Sequence, residues 1–378
     1  MNREQASQLF SEMLKLMAIH KASDLFITAD FPPAFKIDGV LTKASPQSLQ
    51  PEHTAMLARA LMTDRQFADF ERQKECNFAI APPGIGRFRV NAFVQLGKVG
   101  MVLRAIPFKP PNIDEMNLPQ VLKNVAMNKR GLCIMVGGTG SGKSTTLAAM
   151  VDWRNANSYG HIVTVEDPVE FVHPHKNCIV TQREVGLDTE SWDSALRNAL
   201  RQAPDVIMFG ELRDRETVEL IIDFAETGHF CIATMHANNA NQALDRIINF
   251  FPDTRRAQLL QDLSFNLSAI ISQRLLPLSS GKGRVAAIEI LLNSPRVADL
   301  VKKGDVAEIR ETMKKSQSMG MQTFDQSLYA LHQSSLISYD EAMRHADSAN
   351  DLRLEIKLRG NEEGVDSLSN GTENLIIV

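Results

Sequence analysis

The octapeptide GGTGSGKS, Gly137 to Ser144, sets glycines at 137, 138, 140 and 142 ahead of a lysine and a hydroxyl. That spacing satisfies G-x-x-x-x-G-K-[ST], with an apolar run before it and a helical pattern after it, the context in which the pattern binds phosphate. Glycines let backbone N–H groups curl around an anion, and the following helix N-terminus adds its positive dipole end. Lys143 places a charge on the β- and γ-phosphates, while Ser144 offers an oxygen to Mg²⁺. The whole run Gly137, Gly138, Thr139, Gly140, Ser141, Gly142, Lys143, Ser144 and Thr145 is therefore assigned to ATP, with Mg²⁺ as its companion ion.

Hydrolysis needs an acid that orients the metal or the attacking water, and it should lie at the C-terminal end of a nearby strand. DVIMFGE delivers Glu211 there, which we assign to Mg²⁺ and to water activation. HIVTVEDPVEF delivers Glu166, Asp167 and Glu170 at a second strand end, with Glu170 and Glu166 as second-rank candidates for polarising the water. Any one of these alone could be a solvated acid in a surface turn. Two acid-bearing strand ends beside one phosphate loop weigh against that.

The stretch ETGHFCIATMHANN holds His229 and His236 at the two ends of an apolar strand. Seven extended residues separate them by about 23 Å, so they cannot share a zinc ion. Their odd spacing points the rings to opposite faces of a regular strand. His236 falls at the C-terminal end and is expected to reach the γ-phosphate region as a hydrogen-bond donor. His229 sits at the other end, following Gly228, nearer a helix or a neighbouring subunit. Packing is the commoner fate of a lone strand-end histidine, and the phosphate loop shifts that balance for His236 more than for His229.

The elements that must position these residues read as α/β. GLCIMVG, HIVTVEDP, DVIMFGE and HFCIAT are buried strands alternating with amphipathic helices, which predicts a parallel sheet covered on both faces. This domain spans 113–294, and a helical subdomain follows over 295–360. Residues 1–106 read as a small α+β domain. Its N-terminal helix is followed by the strand-like runs DLFITA and AFKIDGVLT, a helical segment over Pro51 to Lys74, and the alternating runs CNFAIAP, GRFRVNAFVQ and VGMVLRAIP. The proline-rich segment 107–112 reads as a linker and hinge.

Composition narrows the function. With 44% hydrophobic and 23% charged residues, the 378-residue chain can bury a large core. The net charge of −4 is accounted for by residues 361–378, which carry four acids and no Lys or Arg and read as a disordered tail. The neutral body lacks the clustered positive charge that duplex nucleic acid demands, so no nucleic acid partner is expected. No apolar run approaches the ~18 residues of a membrane span, and no signal peptide is evident, which points to the cytoplasm. The four cysteines form no CxxC pair, and Cys133, Cys178 and Cys231 read as buried small side chains.

GGTGSGKST, HIVTVEDPVEF, DVIMFGELRD and ETGHFCIATMHANN, in that order, resemble the Walker A, Asp box, Walker B and His box of the secretion-type ATPases that power type II secretion and type IV pili. Within that family the chain resembles the pilus-retraction PilT/PilU branch, and INFFPDTRR with the extension after HADSANDLRLEIK points to its PilU-like members. Starting directly in the small domain, without a four-cysteine zinc site, also fits that branch. The resemblance implies a small PAS-like N-terminal domain, a RecA-like ATPase domain and a homohexamer with nucleotide at subunit junctions. It assigns catalytic roles to both His236 and His229, and matches Arg89 and Arg104 to arginines that the small domain contributes to ATP. Arg87, Arg89 and Arg104 do lie on two neighbouring strand-like runs, although any one of them could equally form a surface ion pair. The implied partners are a PilT-type paralogous ATPase and a PilC-type platform protein at the cytoplasmic face of the inner membrane. SPRVADLVKKGD stands where PilT has a helical signature beginning Ala-Ile-Arg-Asn, so an accessory role beside PilT is the expected one. The alternative is a nucleotide-binding regulatory subunit with little hydrolysis of its own.

Overall fold

The structure is a computed structural model that describes residues 3–107 and 109–358; the acidic tail lies outside the described residues. The chain folds into two compact units. One comprises the chain up to Pro110 together with 167–174 and 182–190, and the other comprises 111–166, 175–181 and the chain from Ser191 onward. A boundary read along the sequence did not anticipate the two excursions.

The small unit is built on six antiparallel strands: β1 (Asp24–Ile27), β2 (Ala34–Ile37), β3 (Val40–Lys43), β4 (Glu75–Ile80), β5 (Arg87–Gln95) and β6 (Lys98–Ile106). Their order is β3-β2-β1-β6-β5-β4. Alternation along β5 buries Phe88, Val90 and Ala92 and turns Arg87, Arg89 and Asn91 to the other face. The buried face packs with Phe10, Leu14 and Met17 of the first helix and Leu57 of the second. Two elements differ from the sequence reading. AFKIDGVLT is a hairpin rather than one run, because Asp38 (φ 50°) and Gly39 (φ 82°) both take the left-handed conformation that a two-residue turn requires. The segment from Pro51 is two helices, Pro51–Leu61 and Asp64–Gln73. Thr63 accepts from the Gln66 N–H while the Gln66 side chain takes the Thr63 N–H, a reciprocal cap that starts a new helix within the periodic run.

The second sheet comprises β7 (Gly131–Val136), β8 (Gly160–Glu166), β9 (Cys178–Glu184), β10 (Val206–Phe209), β11 (Phe230–Met235), β12 (Leu267–Pro277) and β13 (Arg284–Leu292), in the order β13-β12-β7-β11-β10-β8-β9, and lies in the large unit except for the last residues of β9, from Gln182. β12, β7, β11, β10 and β8 run parallel, but β13 is antiparallel to β12, so the sheet is mixed rather than purely parallel. The short turn joining β12 and β13 leaves no room for the crossover that a parallel pair would need. Both faces are buried. Leu132, Ile134 and Val136 of β7 enter one core, and Cys133 and Met135 enter the other. Beyond β13 the chain is helical, with helices Pro295–Lys303, Val306–Lys315, Phe324–Gln333 and Tyr339–His345 and a further helix over 349–358. Among the described residues no helix is long and apolar enough to cross a membrane.

Candidate active site

The phosphate loop begins where β7 ends. Gly137, Gly140 and Gly142 have φ of 155°, 74° and 86°, values that a side chain would make strained. A Cβ at Gly137 would also lie 2.6 Å from the Gln273 carbonyl, and one at Gly142 would lie 2.7 Å from Gln273 Nε2. Gly142 caps helix Lys143–Asn157, whose first-turn N–H groups have no intrahelical acceptor and face the loop. Lys143 Nζ donates to the Gly137 and Gly138 carbonyls at 2.8 and 2.9 Å, so its charge is held over the loop. Ser141 Oγ is buried there without a hydrogen-bond partner. A glycine cradle, a fixed cation and an unsatisfied hydroxyl suit an anion, and Thr139 and Gly140 keep the mouth exposed.

Three neighbouring strand ends supply the remaining groups. Glu166 closes β8, Glu211 lies two residues past β10, and His236 directly follows β11, all on the C-terminal edge where β7 delivers the loop. Glu211 is tied on both sides: the Gly210 N–H donates to Val165 O at 2.9 Å, and the Leu212 N–H to Thr234 O at 2.8 Å. Gly210 is required because a Cβ there would sit 2.5 Å from the Trp192 ring, which packs edge-on against Phe209. The Glu211 carboxylate accepts from Arg213 Nε at 2.7 Å and lies 3.4 Å from His236 Nε2. Glu166 is buried and accepts from Thr164 Oγ1 at 2.6 Å. Ser144 and Thr145 are half-buried in the first helical turn. Ser144 Oγ and the Glu211 carboxylate are each hard oxygens of the kind Mg²⁺ prefers.

The remaining expected residues belong to the small unit or to the other end of β11. Glu170 belongs to the small unit, in a segment held by its own bonds: Val169 N–H to Glu184 Oε2 (3.2 Å), Gln182 Nε2 to Phe171 O (2.8 Å) and Val172 N–H to Pro107 O (3.1 Å). Arg89 and Arg104 are direct cross-strand partners on the open face of the small sheet. Arg104 Nε donates to the buried Asp24 at 2.8 Å, yet its side chain remains 72% exposed, so the guanidinium tip is available to a ligand. His229 stands at the opposite end of β11, with Nδ1 3.1 Å from Phe224 O and 3.0 Å from Thr227 Oγ1.

Sequence reasoning missed Gln273. Buried in β12, it donates to Ser141 O at 2.9 Å and accepts from Thr146 Oγ1 at 2.7 Å, bracing the phosphate loop and its helix together. Glu289 of β13 was also missed. It accepts from the Ala240 N–H (2.7 Å) and Ser272 Oγ (3.2 Å), and burial pushes its carboxyl up to about 7. Three consecutive polar residues, Ser272 to Arg274, and a lone acid in VAAIEILL were the available signals, each a polar break in an apolar strand.

The model of the Type II/IV secretion system protein family matches residues 2–344. The chain is 56% identical over 366 residues to the Pseudomonas aeruginosa type IV pilus ATPase PilU, covering 97% of this chain and 96% of that protein. It is 42% identical to the type IV pilus retraction ATPase PilT of the same organism, covering 89% of this chain and 97% of that one. Among solved structures, the pilus retraction motor PilT with bound ADP superposes with a TM-score of 0.84 at 39% identity, covering 90% of this chain and 98% of that one. With a phosphate loop, strand-end acids and a strand-end histidine on one sheet edge, the chain is an ATPase of the Type II/IV secretion system protein family, in its PilT/PilU branch.

Proposed function

We propose that the chain is a motor ATPase that hydrolyses ATP to ADP and phosphate as a homohexamer and assists type IV pilus retraction beside a PilT-type paralogue. The observation that carries the reading is the Glu211–His236 pair at 3.4 Å on the strand ends next to the loop that holds Lys143. The loop amides and Lys143 bind the phosphates. Ser144 and Glu211 would hold Mg²⁺, which would supply charge neutralisation on the phosphates. A water oxygen bonds to the γ-phosphorus as the bond to the β-phosphate oxygen breaks, and the water's proton passes to a carboxylate. Glu211 is the first candidate for that base, with Glu170 and Glu166 behind it. His236 donates to the γ-phosphate and reports its presence.

Arg89 and Arg104 are suited to the nucleotide of a neighbouring subunit, where a guanidinium stabilises charge on the transferring phosphoryl group. Residues 107–112 serve as hinge between nucleotide states. The 56% identity to PilU supports the accessory role, together with action on a PilC-type platform protein at the cytoplasmic face of the inner membrane.

The test is the size of the purified full chain and its phosphate release, with and without the PilT-type partner, for wild type and Glu211→Ala. A hexamer whose Mg²⁺-dependent turnover falls by ~10²-fold or more in Glu211→Ala is expected. A hexamer with negligible wild-type turnover would favour the regulatory-subunit reading. A monomer inactive under every condition would overturn both.

A further inference from the structure

The loop after β11, residues 236–239, is pinned from several sides. Arg246 Nη1 donates to the His236 carbonyl at 2.8 Å, and the Asn238 N–H donates to Gln242 Oε1 at 3.1 Å. The Asn239 side chain caps helix Ala240–Asn249 by accepting from the Gln242 N–H at 2.9 Å. Those contacts all come from the adjoining helix. One more comes from elsewhere: Arg274 Nη2, on β12, donates to Asn238 O at 3.2 Å.

The same guanidinium reaches into the C-terminal helices. Its Nη1 donates to His345 O, and its Nη2 donates to Asp347 Oδ1 at 2.7 Å. It also stacks 3.9 Å from the centroid of the buried Phe324 ring. Asp347 is itself fixed, because its N–H donates to Asp325 Oδ1 at 2.8 Å and Arg310 Nη2 donates to Asp325 Oδ2 at 2.5 Å. The neighbour of Arg274 on β12 is Gln273, which braces the phosphate loop. Consecutive strand residues face opposite sides, so β12 supports the phosphate loop with one side chain and the His236 loop with the next.

We propose that Arg274 is a positioning residue for ATP hydrolysis, through which the segment 345–348 of the C-terminal helices fixes the loop that carries His236. A planar guanidinium can serve His345 O, Asp347 and Asn238 O at once because its donors diverge from one rigid plane. Moving 345–348 would pull that fork away from Asn238 and shift His236 relative to Glu211, so a partner bound at the C-terminal helices would tune turnover without touching nucleotide. The inference rests on the reading of His236 as a γ-phosphate sensor.

A merely structural Arg274 would lower stability and affect every activity alike, so the test separates turnover from binding. Phosphate release and the dissociation constant of a fluorescent ATP analogue are measured on the full chain for wild type, Arg274→Gln, Arg274→Lys, Asp347→Asn, His236→Ala and His236→Ala/Arg274→Gln. Arg274→Gln is expected to lower turnover roughly tenfold with nucleotide affinity unchanged, the signature of misplacement rather than lost binding. Arg274→Lys recovers only part of the loss. Asp347→Asn gives a smaller loss of the same kind and carries the test should Arg274→Gln fail to fold. In the His236→Ala background, Arg274→Gln adds no further loss, because both act through one group. Unchanged turnover in both Arg274→Gln and Asp347→Asn, or fully multiplicative losses in the double variant, would overturn the inference. His236→Ala with wild-type turnover would instead remove the sensor reading, and this inference with it.

Discussion

The two ends of β11 carry the same residue type and do different work. At the N-terminal end the backbone groups and ring Nδ1 of His229 are spent on closing the chain. Its N–H donates to Phe224 O at 3.1 Å, its carbonyl accepts from the Gly131 N–H at 3.1 Å, and its ring Nδ1 meets the Phe224 carbonyl and Thr227. Both contacts of the ring therefore lie within the turn that leads into β11. At the C-terminal end, His236 Nε2 faces a carboxylate at 3.4 Å and the side chain is 43% exposed. Parallel strands send chains into helices at one edge and receive them at the other, so open, convergent groups gather where strands end. Strand direction separates the two histidines, and residue type does not.

The sharpest way to probe the C-terminal edge in free energy is Glu289, whose carboxylate accepts from the first N–H of the helix that follows the His236 loop. Burial raises it from 4.5 to about 7, with Asp347 pushing the same way and Arg274 and the Ala240 N–H opposing. The folded chain therefore holds this proton more tightly than the unfolded one. The stabilisation is full below about pH 4.5 and is lost as pH rises through about 7, on the order of 3 kcal/mol in all. Glu289→Gln should abolish that slope and become the more stable protein above about pH 7. Denaturation midpoints of both proteins across pH 4 to 8 measure it, and parallel curves would show that Glu289 does not titrate in this window.

A smaller effect is expected in turnover. His236→Ala removes the ring that faces Glu211 but leaves Lys143 and the loop amides in place. Phosphate release should fall roughly tenfold or more while ATP affinity is mostly kept. A matching fall in affinity would make His236 a binding group, and no change in either would return it to packing.

What could be read in the sequence follows the range of the forces involved. The phosphate loop and the acids at or just past a strand end depend on neighbours within a few positions, so spacing alone exposes them. The Asp38-Gly39 turn was equally local and equally visible, and taking AFKIDGVLT as one run overlooked it. Gln273 is different: it meets Ser141 across 132 positions because β12 lies beside β7, and only strand order creates that contact. The capture of 167–174 and 182–190 by the small unit is likewise non-local. Glu184, buried against the Val169 N–H and 3.9 Å from Arg87, holds that segment through contacts between stretches far apart in the chain.

The smallest expected effect bears most directly on the comparison. His229→Ala deletes the ring bond to the Phe224 carbonyl and the edge-on contact with the Phe224 ring at 6.5 Å, leaving the backbone bonds of the turn in place. Loss of one such hydrogen bond costs about 1 kcal/mol, a shift of about 1–2 °C in the melting midpoint of a chain this size. Turnover should change less than in His236→Ala, since the ring lies at the edge of the sheet away from the phosphate loop. Family resemblance makes the opposite forecast, a catalytic His229, and a group at the N-terminal edge can act on chemistry only across a subunit boundary. Measuring turnover and molecular size of both variants across a range of protein concentrations separates the two. A turnover loss at His229 that equals the one at His236 and appears only in an oligomer would place this edge at a subunit junction, and the contrast between the two ends of β11 would then hold for the single chain but not for the oligomer.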